Sequence, residues 1–141
     1  MQVGERGHIW LRIGGAAAIA VLLAWAVPGL AAETEFPYEG ELLLEAPPMK
    51  GSKRVPIITV DPGGEAAIDL WCASMQAQFV IAGDTLTILP GEKSGPACDP
   101  ERMRADDDLA SALQQVTGWR RLDDVLVLNG PQVLRFRLST H

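Results

Sequence analysis

The fold of this chain is constrained most by short segments in which apolar and polar side chains alternate. Each such segment favours a strand with one buried face. Residues 65–72, 76–82 and 85–89 all alternate in this way. The pair Gly83-Asp84 separates the last two segments and is typical of a tight hairpin turn. Further strands are predicted at 38–46, 55–60, 124–128 and 133–138. These segments predict antiparallel strands joined by short turns, after a frayed start at 33–37.

The period changes after Cys98, where helical spacing replaces alternation. Asp99 followed by Pro100 is typical of a helix N-cap, and this turn is either the start of the main helix or a separate short one. We assign Asp106-Asp107-Asp108 to a helix start, where the helix dipole favours negative charge. The predicted fold class is α+β, mainly β: an antiparallel curved sheet or partial barrel of about seven strands with one packed amphipathic helix.

The first 32 residues have the pattern of a cleaved secretory signal. Arg6 and Arg12 precede an apolar run from 13 to 27, a Pro-Gly break follows, and Ala31 and Ala32 then precede a polar segment. A membrane anchor is the alternative, but an apolar run of about 15 residues is shorter than the roughly 20 that span a bilayer. We expect cleavage after Ala31 or Ala32, a single domain at 33–141, no membrane span after cleavage, and a periplasmic or secreted location.

Removing the leader makes the domain more acidic. Two arginines and one glutamate leave with it, so the formal net charge falls from −6 to −7. A domain of this charge repels phosphate backbones and anionic lipid surfaces. We therefore expect no nucleic-acid partner.

Cys72 and Cys98 both belong to the expected mature domain. An even number of cysteines in a small exported domain favours a disulfide. Two separate buried thiols are the alternative, and a metal site is disfavoured because too few histidines and cysteines remain to complete a ligand set. We predict a Cys72–Cys98 disulfide, no metal and no other cofactor.

Candidate catalytic groups are few. His141 is the sole histidine of the expected mature domain and stands at its C-terminus, which disfavours histidine-based catalysis. The Asp106-Asp107-Asp108 run lacks the alternating oxygen ligands of a calcium loop. Glu101 and this run lack the apolar pocket that would make one of them a general acid. We therefore predict no catalytic residues and a protein that is not an enzyme.

A short polar turn carries the positive charge of the N-terminal half of the domain. Lys50, Lys53 and Arg54 are grouped there, and Gly51-Ser52-Lys53 is similar to the end of a phosphate-binding loop, but a strand follows it where that loop needs a helix. We interpret the segment as a solvated turn and a candidate contact patch, and a weak anion-binding patch formed by the same three residues is the alternative. Trp71 and Trp119 are assigned to the core in preference to a ligand-stacking role.

From about residue 65 onward the chain resembles the META domain, the family typified by the heat-shock protein HslJ. Trp71-Cys72-Ala73 ends a strand, a hairpin follows at 79–89, Ala97-Cys98 precedes an acidic helix, and two strands close the domain. The family's usual Gly-Cys-Asn is replaced here by Trp71-Cys72-Ala73, so the chain resembles a divergent member of the family. The resemblance implies a small exported or surface-associated, mainly antiparallel β domain linked to stress tolerance, with no catalytic residues to carry over.

Together these observations predict a non-enzymatic exported domain that supports envelope stress tolerance by binding an envelope protein or a small apolar ligand. The alternative is a secreted inhibitor of a lysozyme-like enzyme, because negative charge steers a domain toward a basic enzyme. A hydrolase is the third hypothesis and lacks a base. An exposed loop with acidic and aromatic residues would favour the inhibitor, and a closed barrel with an apolar mouth would favour a ligand.

Overall fold

Eight antiparallel strands close into a barrel in the computed structural model, which describes residues 35–140. One α-helix lies between the fifth and sixth strands. In chain order the elements are β1 Leu42–Leu44, β2 Ile57–Val60, β3 Glu65–Asp69, β4 Ser74–Ala82, β5 Thr85–Ser94, α1 Pro100–Gln114, β6 Gly118–Leu122, β7 Val125–Asn129 and β8 Leu134–Leu138. The predicted leader and His141 lie outside the described residues.

Each strand pairs with the next along the chain, and β8 closes the barrel by pairing with β1. The predicted α+β, mainly β fold with one packed helix is therefore confirmed. The expected number of strands is one too low, because β6 is not recognisable as a strand from its sequence. It reads Gly-Trp-Arg-Arg-Leu, so it begins with a residue typical of a helix end and carries two adjacent charges.

The pairing between β5 and β6 is the shortest between neighbouring strands of the barrel. Thr85 and Gly118 form its one registered pair among residues 35–140, whereas β4 and β5 pair along almost their whole length. The helix α1 packs against β5, and its Leu109 and Leu113 join the barrel core. The helix therefore adds apolar contacts to the strand whose pairing with β6 is so short.

Inward-facing side chains fill the barrel. Buried and more exposed positions alternate along β2 and β3 and through most of β4, as the sequence pattern predicts. Fully buried side chains come from strands all around the barrel and from the helix: Leu42, Ile58, Ile68, Leu113, Leu126 and Phe136. An eight-stranded barrel is just wide enough to be filled by its own side chains or to hold one small ligand. Here the side chains fill it.

The N-terminal segment joins the core earlier than predicted. Phe36 is only 4% exposed, and its ring lies 5.2 Å from that of Trp119 and 6.2 Å from that of Phe79, both in edge-to-face geometry. The prediction of a frayed start is therefore wrong from Phe36 onward. Trp119 is buried as predicted, and its indole N–H donates to the carbonyl of Gly83 at 2.9 Å. The first strand covers only Leu42–Leu44 of the predicted 38–46, and a φ of 62° at Glu39 interrupts the extended backbone before it.

The helix α1 begins at Pro100, well before the acidic run. Asp99 is the N-cap, and its Oδ1 accepts a hydrogen bond from the N–H of Arg102 at 3.0 Å. The Asp99-Pro100 turn is therefore the start of the main helix and not a separate one. The assignment of Asp106-Asp107-Asp108 to a helix start is wrong, because these residues follow the first turn, to which the dipole effect is confined.

Candidate functional site

The corner between β3 and β4 brings the cysteine pair, a tryptophan and the helix together. β3 ends at Asp69, and β4 begins at Ser74. Within the corner the N–H of Leu70 donates to the carbonyl of Ala73 at 2.8 Å. The N–H groups of Cys72 and Ala73 then need acceptors from elsewhere in the chain, because buried backbone donors are almost always paired.

Asp106 supplies both acceptors from the second turn of α1. It is 2% exposed. Its Oδ1 accepts from the N–H of Cys72 at 3.1 Å, and its Oδ2 accepts from the N–H of Ala73 at 2.8 Å. A carboxylate is tolerated in a buried position when it is hydrogen-bonded in this way, and bonds to an ionised group are stronger than neutral ones. Asp106 therefore fixes the helix to the corner, a role that the sequence prediction missed.

The predicted disulfide between Cys72 and Cys98 is present, with Cα atoms 6.1 Å apart. It joins the corner to Cys98, which immediately precedes Asp99, the N-cap of the helix. The corner is thus attached to the helix segment twice, by a covalent bond ahead of the first turn and by Asp106 in the second turn. Both sulfur atoms are consumed by the bond, so neither is a thiolate nucleophile or metal ligand.

A cleft of about 340 Å³ lies between the corner, the end of β5 and α1; we call it the disulfide cleft. Its lining includes Lys93, Met103, Asp106 and Asp107. The ammonium group of Lys93 pairs with the carboxylate of Asp107, and Asp106 is bonded to the backbone of the corner. The charged groups that line this cleft therefore already have partners.

A second cleft, of about 350 Å³, lies between α1, the end of β1 and the start of β8; we call it the Trp71 cleft. Its apolar lining includes Trp71, Leu44, Leu109 and Val133. Val133 is 57% exposed, and Trp71 is partly exposed. The assignment of Trp71 to the core is therefore wrong: the residue is half-buried, lies outside the core cluster, and lines a cleft beside the helix.

Three charged side chains line the Trp71 cleft, and two of them are paired with each other. Glu45 accepts hydrogen bonds from Arg137 at 2.7 Å and from Arg135 at 2.9 Å. These bonds, that from Arg137 first, hold the pKa of Glu45 below its ordinary value, and the same carboxylate raises the pKa of Arg137. The third charge is Asp108, which has no hydrogen bond or ion pair from its carboxylate among residues 35–140.

The predicted contact patch lies apart from both clefts. Lys50, Lys53 and Arg54 are exposed in the connection between β1 and β2, and none of them lines the disulfide cleft or the Trp71 cleft. The connection contacts the helix through a hydrogen bond of 3.3 Å from the guanidinium of Arg102 to the carbonyl of Gly51. The contact role of the patch stays a prediction.

Between residues 35 and 140, no group of three or more histidine, cysteine, aspartate or glutamate side chains is placed to hold a metal ion. No helix within this range is both long and apolar enough to cross a bilayer.

Comparisons with known proteins agree with this architecture. A family model described as the META domain matches residues 35–140. The crystal structure of a DUF4847 family protein from Bacteroides vulgatus is similar with a TM-score of 0.50 and 14% identity, over 61% of this chain and 60% of that one. A solution structure titled "NMR structure of the protein" is similar with a TM-score of 0.56 and 17% identity, over 71% of this chain and 89% of that one. At such identities the likeness concerns the fold alone. A search of curated proteins finds no match.

Proposed function

Because the chain belongs to the META domain family, we propose that it is an exported, non-enzymatic domain that supports envelope stress tolerance by binding a protein partner. The association with stress comes from the family. The preference for a protein over a small apolar ligand comes from the shape of this domain.

The observation that carries this preference is the filled interior of the barrel. A small apolar ligand needs a concave, largely enclosed apolar pocket. Leu42, Leu126 and Phe136 have no exposed surface and occupy the space where such a ligand would lie in an open barrel. The two clefts beside the helix are on the outside of the domain, where they are accessible to side chains of another protein.

The states of the carboxylates beside the helix support a role in binding. A general acid or base needs an available proton site whose pKa is near the working pH. Asp106 is held by two backbone N–H groups, Asp107 is paired with Lys93, and the pKa of Glu45 is lowered. The pKa of Glu45 is thus moved further from neutrality, and Asp106 and Asp107 are already engaged by partners within the domain.

Loss of the protein should make cells more sensitive to heat or to an envelope-directed antibiotic, and the full chain should restore survival. The triple variant Lys50→Gln, Lys53→Gln, Arg54→Gln should restore survival less well, because cationic side chains in an exposed turn can pair with individual acidic side chains of the partner. The measurement is survival under stress, with circular dichroism confirming that each variant is folded. Asp107→Asn is the control, since it removes an exposed charge elsewhere.

Equal survival of deletion and parent strains under both stresses would contradict the proposed function. Full rescue by the folded triple variant would contradict the contact patch alone.

Export requires that the leader be removed. We expect mass spectrometry of the protein from the periplasmic or secreted fraction to find a new N-terminus at Ala32 or Glu33, because small residues precede both positions. A chain that retains Met1 and sediments with the membranes would overturn this prediction.

A secreted inhibitor of a lysozyme-like enzyme is the second candidate, and one observation favours it. Trp71 and Asp108 place a partly exposed aromatic residue and an unpaired carboxylate in the same cleft of an acidic domain. A turbidity assay with a basic muramidase distinguishes the candidates: an inhibitor slows cell-wall lysis at stoichiometric concentration, whereas a domain with an envelope partner leaves the lysis rate unchanged.

A further inference from the structure

We propose that the Trp71 cleft is the docking site for a basic segment of the partner protein, with an arginine or lysine side chain lying in the cleft that Trp71 and Asp108 line. The inference rests on the proposed function, because it assigns the site and the chemistry of the same partner.

The apolar part of the cleft can bury the stem of such a side chain. Trp71, Leu44 and Leu109 line the cleft, and Val133 beside them is 57% exposed. Long cationic side chains bury their methylene groups on apolar surface while the charged head stays near polar groups. The cleft volume of about 350 Å³ is at the small end of ligand pockets, which range over roughly 300–1,000 Å³. It therefore suits one or two side chains and not a large ligand.

The charges of the cleft select a cation. Arg135 is engaged with Glu45, so these two lining charges compensate each other. Asp108 is left without a partner among the described residues, and it gives the cleft an uncompensated negative charge. An anionic ligand would face Asp108 and would have to displace Glu45 from Arg135. A cation finds a free carboxylate, and the net charge of the domain attracts it from a distance.

The aromatic wall adds a second attraction for the same charge. A guanidinium or ammonium group over a tryptophan face is attracted by the ring, and the attraction is stronger when the pair is shielded from water. The disulfide cleft offers neither element, because its carboxylates are occupied and no aromatic residue lines it. The two clefts are nearly equal in volume, so the difference between them is chemical.

The test uses the processed protein purified from the cell and a capped Leu-Arg-Leu peptide as the probe. Backbone and indole N–H signals are followed by NMR during titration. We expect the shifts to concentrate at Trp71, Ala105, Asp108 and Val133, and the affinity to exceed that for the citrulline analogue about tenfold, which corresponds to about 1.4 kcal/mol. Shifts centred elsewhere, or equal affinity for both peptides, overturn the proposal.

Matched variants separate the two contributions. Trp71→Ala and Asp108→Asn should each weaken arginine-peptide binding about three- to tenfold, and Trp71→Phe should retain part of the affinity because its ring still faces the cation. Asp108→Asn should also reduce the preference over citrulline, leaving the part that Trp71 contributes. Asp107→Asn changes the neighbouring carboxylate, which pairs with Lys93, and should leave affinity unchanged. Unchanged affinity in folded Asp108→Asn, or equal losses in Asp107→Asn and Asp108→Asn, contradicts the assignment.

Failure of this site and failure of the proposed function give different results. If the Trp71→Ala, Asp108→Asn double variant loses peptide binding and fails to rescue the stressed deletion strain, both proposals stand. If it still rescues, the partner docks elsewhere and only the Trp71 cleft assignment is wrong. If the parent protein itself gives no rescue, the proposed function is wrong, whatever the peptide shows.

Discussion

Replacing Asp106 by alanine should lower the free energy of unfolding by about 3 kcal/mol, because each hydrogen bond to a charged group contributes about 1.5–3 kcal/mol. The substitution removes the acceptors of the Cys72 and Ala73 N–H groups together. Asp106 itself is buried and the two donors are half-buried, so water replaces the carboxylate incompletely. Urea denaturation under oxidising conditions measures the effect.

The neighbouring aspartates are matched controls on the same helix. Asp107 and Asp108 are exposed, and replacing either by alanine should change stability by no more than about 0.5 kcal/mol. Asp106→Asn should be intermediate, because its single amide oxygen can accept from one of the two N–H groups while its NH₂ group faces the other. Equal effects at all three aspartates would show that Asp106 does not hold the corner.

The strands that sequence predicts well are those in which the period of two is uninterrupted. Ala66 and Ile68 of β3, and Leu70 just after it, are buried in turn because this segment has one face in the core. The local alternation of apolar and polar residues is enough to predict that face. β6 offers no such pattern: Trp119 is its one buried residue, and Arg120 and Arg121 follow it directly. Its strand state depends on pairing with β7, which is a contact between segments and not a property of the segment itself.

The position of Asp106 is partly encoded in the sequence. It precedes Leu109 by three residues and Leu113 by seven, so helical geometry places all three on the buried face. Interpreting the acidic run as an effect of the helix dipole leaves this helical spacing of Asp106 out of account. A buried aspartate predicts a hydrogen-bond donor nearby. The sequence does not identify that donor, because Cys72 is 34 residues away in the chain.

The Trp71 cleft could not be predicted for a different reason. Trp71 follows β3, Asp108 lies on α1, and Val133 precedes β8. They line one cleft because β8 closes on β1 and the helix lies next to that closure. Alternation indicates strands and their buried faces, but it does not say which strand is the neighbour of which across a barrel closure.

Removing the Cys72–Cys98 disulfide should lower the free energy of unfolding by roughly 3–4 kcal/mol, the loop-entropy value for a separation of 26 residues. The double variant Cys72→Ala, Cys98→Ala tests this by urea denaturation. Neither cysteine belongs to the buried apolar core, so we expect the variant to fold, with faster amide exchange at 70–73 and 95–99. Reducing agent should destabilise the parent by a similar amount and leave the variant unaffected. A loss below about 1 kcal/mol would contradict the prediction.

The disulfide and Asp106 hold the same corner, so their effects should be coupled. Once the bond is removed, the Cys72 and Ala73 N–H groups are freer to reach water, and Asp106→Ala should then be less destabilising than it is in the parent. Combining all three substitutions should therefore lower stability by less than the separate losses predict, with an interaction energy of about 0.5–3 kcal/mol, as is usual for contacting residues. Additive losses would mean that the covalent bond and the carboxylate act on the chain independently, and that the corner is not a single cooperative unit.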